Sequence, residues 1–277
     1  MFCLWGTLGF GGEKTLSFLI SGGLTRIDPS DLNNFLRDYA RDYLYSHLGT
    51  AGQNMTPREL RTSYELDFTL LVRVAPRVFL TFGSGFLQAS LESEPLIVSY
   101  SDLELTLSRS DRIRSIPIRI GLLYSWPLSP RLSLRPHVSL DGYISYFKDK
   151  GDEKIKDLEE GYIFGDSGYM WEIKTHAFNW GSTAGLALDI ALSGKVSLAL
   201  DVGYKRARLA GFHGTDNRVA SGKFRLFYYE FYSDWTESSY KLLNLPVATY
   251  WNSLDVVRDA VLDLSGPYLK AGFRLSL

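Results

Sequence analysis

Three polar residues at alternate positions, His137, Ser139 and Asp141, are the first candidates for chemistry in this chain. In an extended strand, residues two and four apart line one face. An imidazole, a hydroxyl and a carboxylate would then stand side by side, the types a serine nucleophile needs as base, attacker and orienting group. Asp189 is an alternative source of the carboxylate. The competing reading is structural, a spectator histidine among polar neighbours with Arg135 on the same face. It is preferred, because the sequence holds no convincing catalytic set. His47, His176 and His213 are scattered without metal-ligand spacing, and the lone Cys3 excludes an internal disulfide and a Cys-based zinc site. No metal and no cofactor are expected. Gly211-Phe212-His213-Gly214 and Gly161-Tyr162-Ile163-Phe164-Gly165 read as loop turns, since neither has the strand and helix context of a phosphate-binding loop.

The elements that must carry these residues announce themselves by period-two alternation. Across 64–74 one parity is Tyr64, Leu66, Phe68, Leu70, Val72, Val74 and the other is Glu65, Asp67, Thr69, Leu71, Arg73. Across 115–126 Ile116, Ile118, Ile120, Leu122, Tyr124 and Trp126 oppose a face containing Arg119. Across 131–145 Leu132, Leu134, Val138, Leu140 and Ile144 oppose Arg135, His137, Ser139, Asp141 and Tyr143. Segments 183–192 and 195–205 repeat the pattern, with Asp189, Asp201 and Lys205 on their polar sides. Beyond Tyr204 the apolar parity turns to Arg206 and Arg208, so the apolar face should stop there. Weaker members are 14–24 and 77–91, and the chain ends in 267–277.

Several of these segments exceed the five or six residues usual for soluble strands. Their connections alternate in length. Ala75-Pro76-Arg77, Pro127-Leu128-Ser129-Pro130 and Leu192-Ser193-Gly194-Lys195 are short and rich in turn formers, whereas 25–58, 92–112, 148–172 and 211–263 are long. A soluble barrel has no reason to collect its long loops at one end; a membrane-spanning barrel does. No apolar run reaches the roughly 18 residues of a membrane helix, so a spanning chain must close a sheet on itself. The expected fold is all-β, an antiparallel up-and-down transmembrane β-barrel of about eight strands with long external loops. Ten strands is the alternative, adding 222–232 and 240–251 as a hairpin. The first long loop carries a short helix pattern, with Asp28 or Ser30 as N-cap and Leu32, Phe35, Leu36, Tyr39 and Tyr43 on one face, placed to lie across the barrel mouth. The last long loop is aromatic, with Phe224, Phe227, Tyr228, Tyr229, Phe231, Tyr232, Trp235 and Trp251 for interfacial and packing roles.

If the apolar parity faces lipid, the polar parity fills the interior. That brings Glu65, Asp67, Asp141, Asp189 and Asp201 together with Arg73, Arg119, Arg135, His137, Lys205, Lys270 and Arg274 as a lumen charge network. Eight strands leave an interior just wide enough for side chains. Buried charges must then be paired, so the expected role is a structural plug of ion pairs, with a conducting or anion-favouring cavity as the sharper alternative. With 30 basic and 31 acidic residues, the chain has no field to recruit nucleic acid. Residues 1–12 (MFCLWGTLGFGG) are expected to be a tail left from a truncated export signal, and 13–277 a single barrel domain.

The last residues, Lys270-Ala271-Gly272-Phe273-Arg274-Leu275-Ser276-Leu277, resemble the C-terminal signal of bacterial outer-membrane barrels, in which a polar residue, a glycine and two large apolar residues recur at this spacing. Lys270, Gly272, Leu275 and Leu277 match it, although the family usually ends in Phe or Trp. With its eight segments and three short turns, the chain looks like a member of the small-barrel group that includes OmpA-like domains. The resemblance implies a bacterial outer-membrane location, long loops extracellular, short turns and C-terminus periplasmic. It also implies two partners, outer-membrane lipid and the barrel-assembly machinery that reads the last strand. The expected role is non-enzymatic, structural or surface-interacting, with an extracellular ligand at the loops. The alternatives are a small pore or ligand-binding barrel and, given that outer-membrane lipid A deacylases use a His-x-Ser pair, a lipid-modifying enzyme acting through His137 and Ser139. The last would need those side chains turned toward the bilayer.

Overall fold

The computed structural model describes residues 16–36, 59–92, 96–100, 103–157, 163–164, 170–216, 224–233, 236–246 and 256–277. Residues 1–12, His47, Tyr39 and Tyr43 of the expected helix, and Trp235 and Trp251 of the aromatic loop lie outside them. In chain order the strands are β1 (Leu16–Arg26), β2 (Thr62–Ala75), β3 (Val78–Glu92), β4 (Leu96–Tyr100), β5 (Leu103–Tyr124), β6 (Trp126–Ser129), β7 (Leu132–Asp157), β8 (Ile163–Phe164) and β9 (Trp171–Ala191). They continue as β10 (Val196–Arg206), β11 (Arg208–Leu209), β12 (His213–Asp216), β13 (Phe224–Ser233), β14 (Thr236–Pro246), β15 (Val256–Asp259), β16 (Leu262–Asp263) and β17 (Gly266–Ser276).

Eight of these form a ring. β1 pairs with β2, and the sheet continues through β3, β5, β7, β9 and β10 to β17, every step antiparallel. β17 then returns to β1 over nine residue pairs, from Ser17 opposite Ser276 to Thr25 opposite Tyr268. The ten-stranded alternative is therefore not the fold. β13 and β14 do pair as a hairpin, but among the described residues β13 joins the ring's ladders through β12 alone, on the outlying stretch of β9 from Ile173 to His176. The continuous β9–β10 and β10–β17 ladders leave no gap for them.

Three ring strands are much longer than their alternation suggests. β5 has 22 residues, β7 has 26 and β9 has 21, so parts of the expected loops 92–112 and 148–172 are wall. At about 3.3 Å per residue, β7 runs roughly 85 Å. The physical reason is that alternation records a difference between the two faces. Past Tyr146 the parity that had been apolar becomes Lys148, Lys150, Asp152, Lys154, and the contrast is lost although the ladder to β5 continues.

The interior at this long-loop end is an apolar core. Residues 30–36 form a helix whose Leu32, Phe35 and Leu36 are buried among Leu87, Ile113, Tyr143 and Phe147 of the wall and Leu209, Phe212, Leu226 and Leu262 of the last connection. Asn33 locks it to the chain's return: its amide donates to the Leu60 carbonyl (3.2 Å) and its oxygen accepts the Leu60 N–H (2.8 Å). Asp31 ties it to the last connection through both guanidinium nitrogens of Arg258 (2.6 Å each) and the Val261 N–H (2.8 Å). The helix lies across the mouth. Truncating Leu32, which is fully buried, to alanine should lower stability by about 2–5 kcal/mol in equilibrium unfolding; a change under half a kilocalorie would mean the plug does not pack as described.

Candidate functional site

Each ring strand presents two unlike faces. On the outer wall Phe18, Ile20, Phe68, Ile118, Leu122, Val138, Leu140, Val202, Leu269 and Phe273 are exposed, several by half or more of their surface. The interior of the same strands holds Glu65, Asp67, Asp141, Asp189, Lys205 and Lys270, all buried. A soluble barrel would reverse this arrangement, since water on the outside rewards polar groups there. Ring closure leaves the eight ring strands without a free edge, the requirement that hydrocarbon imposes on a spanning sheet. The chain is an eight-stranded barrel of the outer-membrane type. Aromatic residues border its apolar belt, with Tyr64, Tyr146, Trp180 and Tyr204 toward the long-loop end and Tyr124 and Trp126 toward the short turns. Arg206 and Arg208 are exposed just past Tyr204, where the belt stops.

The barrel's interior charges form three layers. The first lies beneath the apolar plug. Glu65 accepts the Thr25 hydroxyl (2.7 Å) and pairs with Lys205 and with Lys270 (2.6 Å). Lys270 also reaches Asp67 (2.6 Å), and Arg119 spans Asp67 (2.5 Å), Glu65 (3.6 Å) and Asp141 (3.8 Å). Three cations thus meet three carboxylates. Asp141 is fully enclosed and accepts hydroxyl protons from Ser139 (2.7 Å), Tyr143 (3.0 Å) and Thr183 (2.5 Å). In the second layer His137 Nε2 lies 3.1 Å from the Tyr268 hydroxyl, which donates to Asp201 (3.4 Å). A Cβ on Gly185 would land on that hydroxyl and the His137 ring, so only glycine leaves room for the pair. In the third layer Arg135 (2.8 Å) and Arg274 (3.0 Å) share Asp189.

These layers separate the candidate catalytic residues. His137, Ser139 and Asp141 do share a face of β7, but the Ser139 hydroxyl donates its hydrogen bond to Asp141 while His137 is hydrogen-bonded to Tyr268. Asp189, the alternative carboxylate, is held by the two arginines. His137 and Ser139 border an internal cavity of about 90 Å³ and point away from the lipid-facing wall. Arg73 stands apart from the upper layers and lines the short-turn mouth. Of the C-terminal motif, Lys270 points inward to its ion pairs and Leu275 and Leu277 outward. Gly272 faces the seam, where a Cβ would strike the Ile20 carbonyl and Ser21.

Several interior residues escaped the sequence reading. Thr25, Thr183 and Tyr268 complete the layers; Tyr268 shares the parity of Lys270 and Arg274, which was the available signal. Under the plug's outer rim, Arg109 pairs with Asp111 (3.0 Å) and Asp149 (2.9 Å) and lies 4.2 Å from the centre of the Phe35 ring. On the outer surface beyond Tyr146, hydrogen bonds from Lys148 and Lys174, and then from Lys150, hold the Glu172 carboxyl down to about 2. The His176 and His213 rings meet at 4.1 Å between centres with a tilt of 60°, and among the described residues no group of three or more His, Cys, Asp or Glu could hold a metal.

No protein-family model matches the sequence, and no curated protein matches it. Among solved structures, Neisserial surface protein A (NspA) aligns with 96% of this chain and 99% of its own at 9% identity, with a TM-score of 0.36. A major outer membrane protein from Thermus thermophilus aligns over 94% and 99% at 12% identity, with a TM-score of 0.37. Superpositions this loose add no weight, and the assignment stands on ring closure and side-chain direction.

Because Glu65 neutralises Lys205 and both side chains are buried, Glu65→Ala should cost about 3–5 kcal/mol, most of it from the stranded ammonium. In urea titrations of the barrel in lipid, Glu65→Leu combined with Lys205→Met should recover most of that loss. If the double variant were no more stable than Glu65→Ala, the pairing would not be what holds this layer.

Proposed function

We propose that the barrel sits in a bacterial outer membrane with its long-loop end outside, as a non-conducting platform for surface interaction. The observation that carries this is the wall itself: β5, β7 and β9 continue well past the apolar belt and support β12 to β15 above it, around a packed apolar core. A stretch of chain built so far beyond the lipid serves contact with something outside. In this reading the surrounding lipid is one partner, and β17, with Lys270, Gly272, Leu275 and Leu277, is presented to the assembly machinery. The platform binds an extracellular ligand rather than nucleic acid.

Conduction is disfavoured by the plug and by the neutral ion-pair layer beneath it, which fill the lumen in series. Catalysis on membrane lipid is disfavoured because His137 and Ser139 face the interior and have other partners. Orientation is tested by single cysteines in a Cys3→Ser background. Lys154→Cys should react with a membrane-impermeant maleimide in intact cells, and Gly194→Cys only after permeabilisation; the reverse pattern would invert the placement. Planar-bilayer recordings should show no discrete current steps in the wild-type protein, and reproducible steps would replace the platform with a pore.

A further inference from the structure

We propose that the short-turn end of the lumen is a binding site for a small, multiply charged oxyanion. A cavity of about 770 Å³ opens there, within the range of about 300–1,000 Å³ typical of ligand pockets. It is blind, because the ion-pair layers and the plug close the lumen above it. Among the described residues its walls contain Arg73, Arg77, Arg131, Arg135 and Arg274 and one carboxylate, Asp189, a formal sum of +4 for these side chains. The upper layer around Glu65, by contrast, is neutral. Six serines complete the polar lining, so the cavity is rich in donors and poor in charged acceptors. Guanidinium forks bind phosphate and carboxylate oxygens in pairs, and the apolar outer wall surrounding the cavity concentrates their field.

The two rim arginines are exposed side chains on turns whose backbones are held by neighbouring strands. The Arg77 carbonyl accepts the Ser125 N–H (2.7 Å) and the Arg131 carbonyl accepts the Ala191 N–H (2.8 Å), so both turns are stitched to the neighbouring strands. Arg77 also has a φ of 66°, a left-handed position that glycine or asparagine adopts at lower cost. A cationic side chain stands there at the expense of the backbone. Deeper in, Asp189 holds Arg135 and Arg274 in orientation. The site is thus a rim of two exposed arginines on anchored turns above a floor of two guanidiniums oriented by Asp189.

Isothermal titration of the refolded full chain in zwitterionic micelles, with inorganic pyrophosphate and separately with citrate, tests this. Saturable binding of one anion per barrel is expected for at least one of the two probes. It should weaken about ten-fold or more in Arg77→Gln/Arg131→Gln, a variant that leaves the interior ion pairs intact. Lys148→Gln/Lys174→Gln, at the opposite end, should bind as wild type does. Absence of saturable binding for both anions, unchanged affinity in the rim variant, or a loss confined to the lysine variant would each overturn the proposal. Circular dichroism of the rim variant separates a lost site from a lost fold.

Discussion

A peptide group inside hydrocarbon has no water to turn to, and each one left unpaired costs several kilocalories. In this chain that constraint is met at one place, where the last strand returns to the first. The nine residue pairs from Ser17–Ser276 to Thr25–Tyr268 convert an eight-stranded sheet into a ring, and every other feature is a consequence of that closure. Gly272 sits in the seam because a side chain there would push the two backbones apart. Without the seam, β1 and β17 would each expose a ladder of donors and acceptors to lipid.

Closing eight strands sets a narrow interior, and the interior dictates its own contents. Period-two geometry sends half of each strand's residues into a space only wide enough for side chains. The chain fills that space differently along its axis. Where water is remote, charges cancel: Glu65, Asp67 and Asp141 against Arg119, Lys205 and Lys270. Nearer the long-loop end, apolar side chains and a helix take over, as in the core of a soluble protein. Toward the short turns the filling stops and the arginine-lined cavity remains. Among the described residues, the long-loop end is packed and the short-turn end is open.

The ring strands were legible wherever their two faces meet different solvents. Segments 64–74 and 131–145 alternate because one side meets lipid and the other the lumen, and β2 and β7 contain them. Past the belt the outer face turns polar while the buried inner face mixes Arg109, Asp111 and Asp149 with Ile113 and Phe147, so the contrast between faces fades and the outer halves of β5, β7 and β9 look like loop. The aromatic stretch around 224–246 looked like a possible wall hairpin because it is β-rich. Ring membership, however, is decided by ladders between distant strands that no local pattern records. Parity likewise placed the charged residues inside but could not say which would pair. Only the register brings Lys205 to Glu65, 140 residues away, and turns His137 toward Tyr268 rather than Ser139.

The account depends on strand direction in lipid, and β5 offers the sharpest contrast, with Ile118, Ile120 and Leu122 outward and Arg119, Gly121 and Leu123 inward. Nitroxide labels placed singly at 118 to 123 in liposome-embedded protein report this through their accessibility to dissolved oxygen, which partitions into hydrocarbon. High accessibility at the even positions and low accessibility at the odd ones, alternating residue by residue, is the predicted result. Uniform accessibility, or the opposite phase, would contradict it.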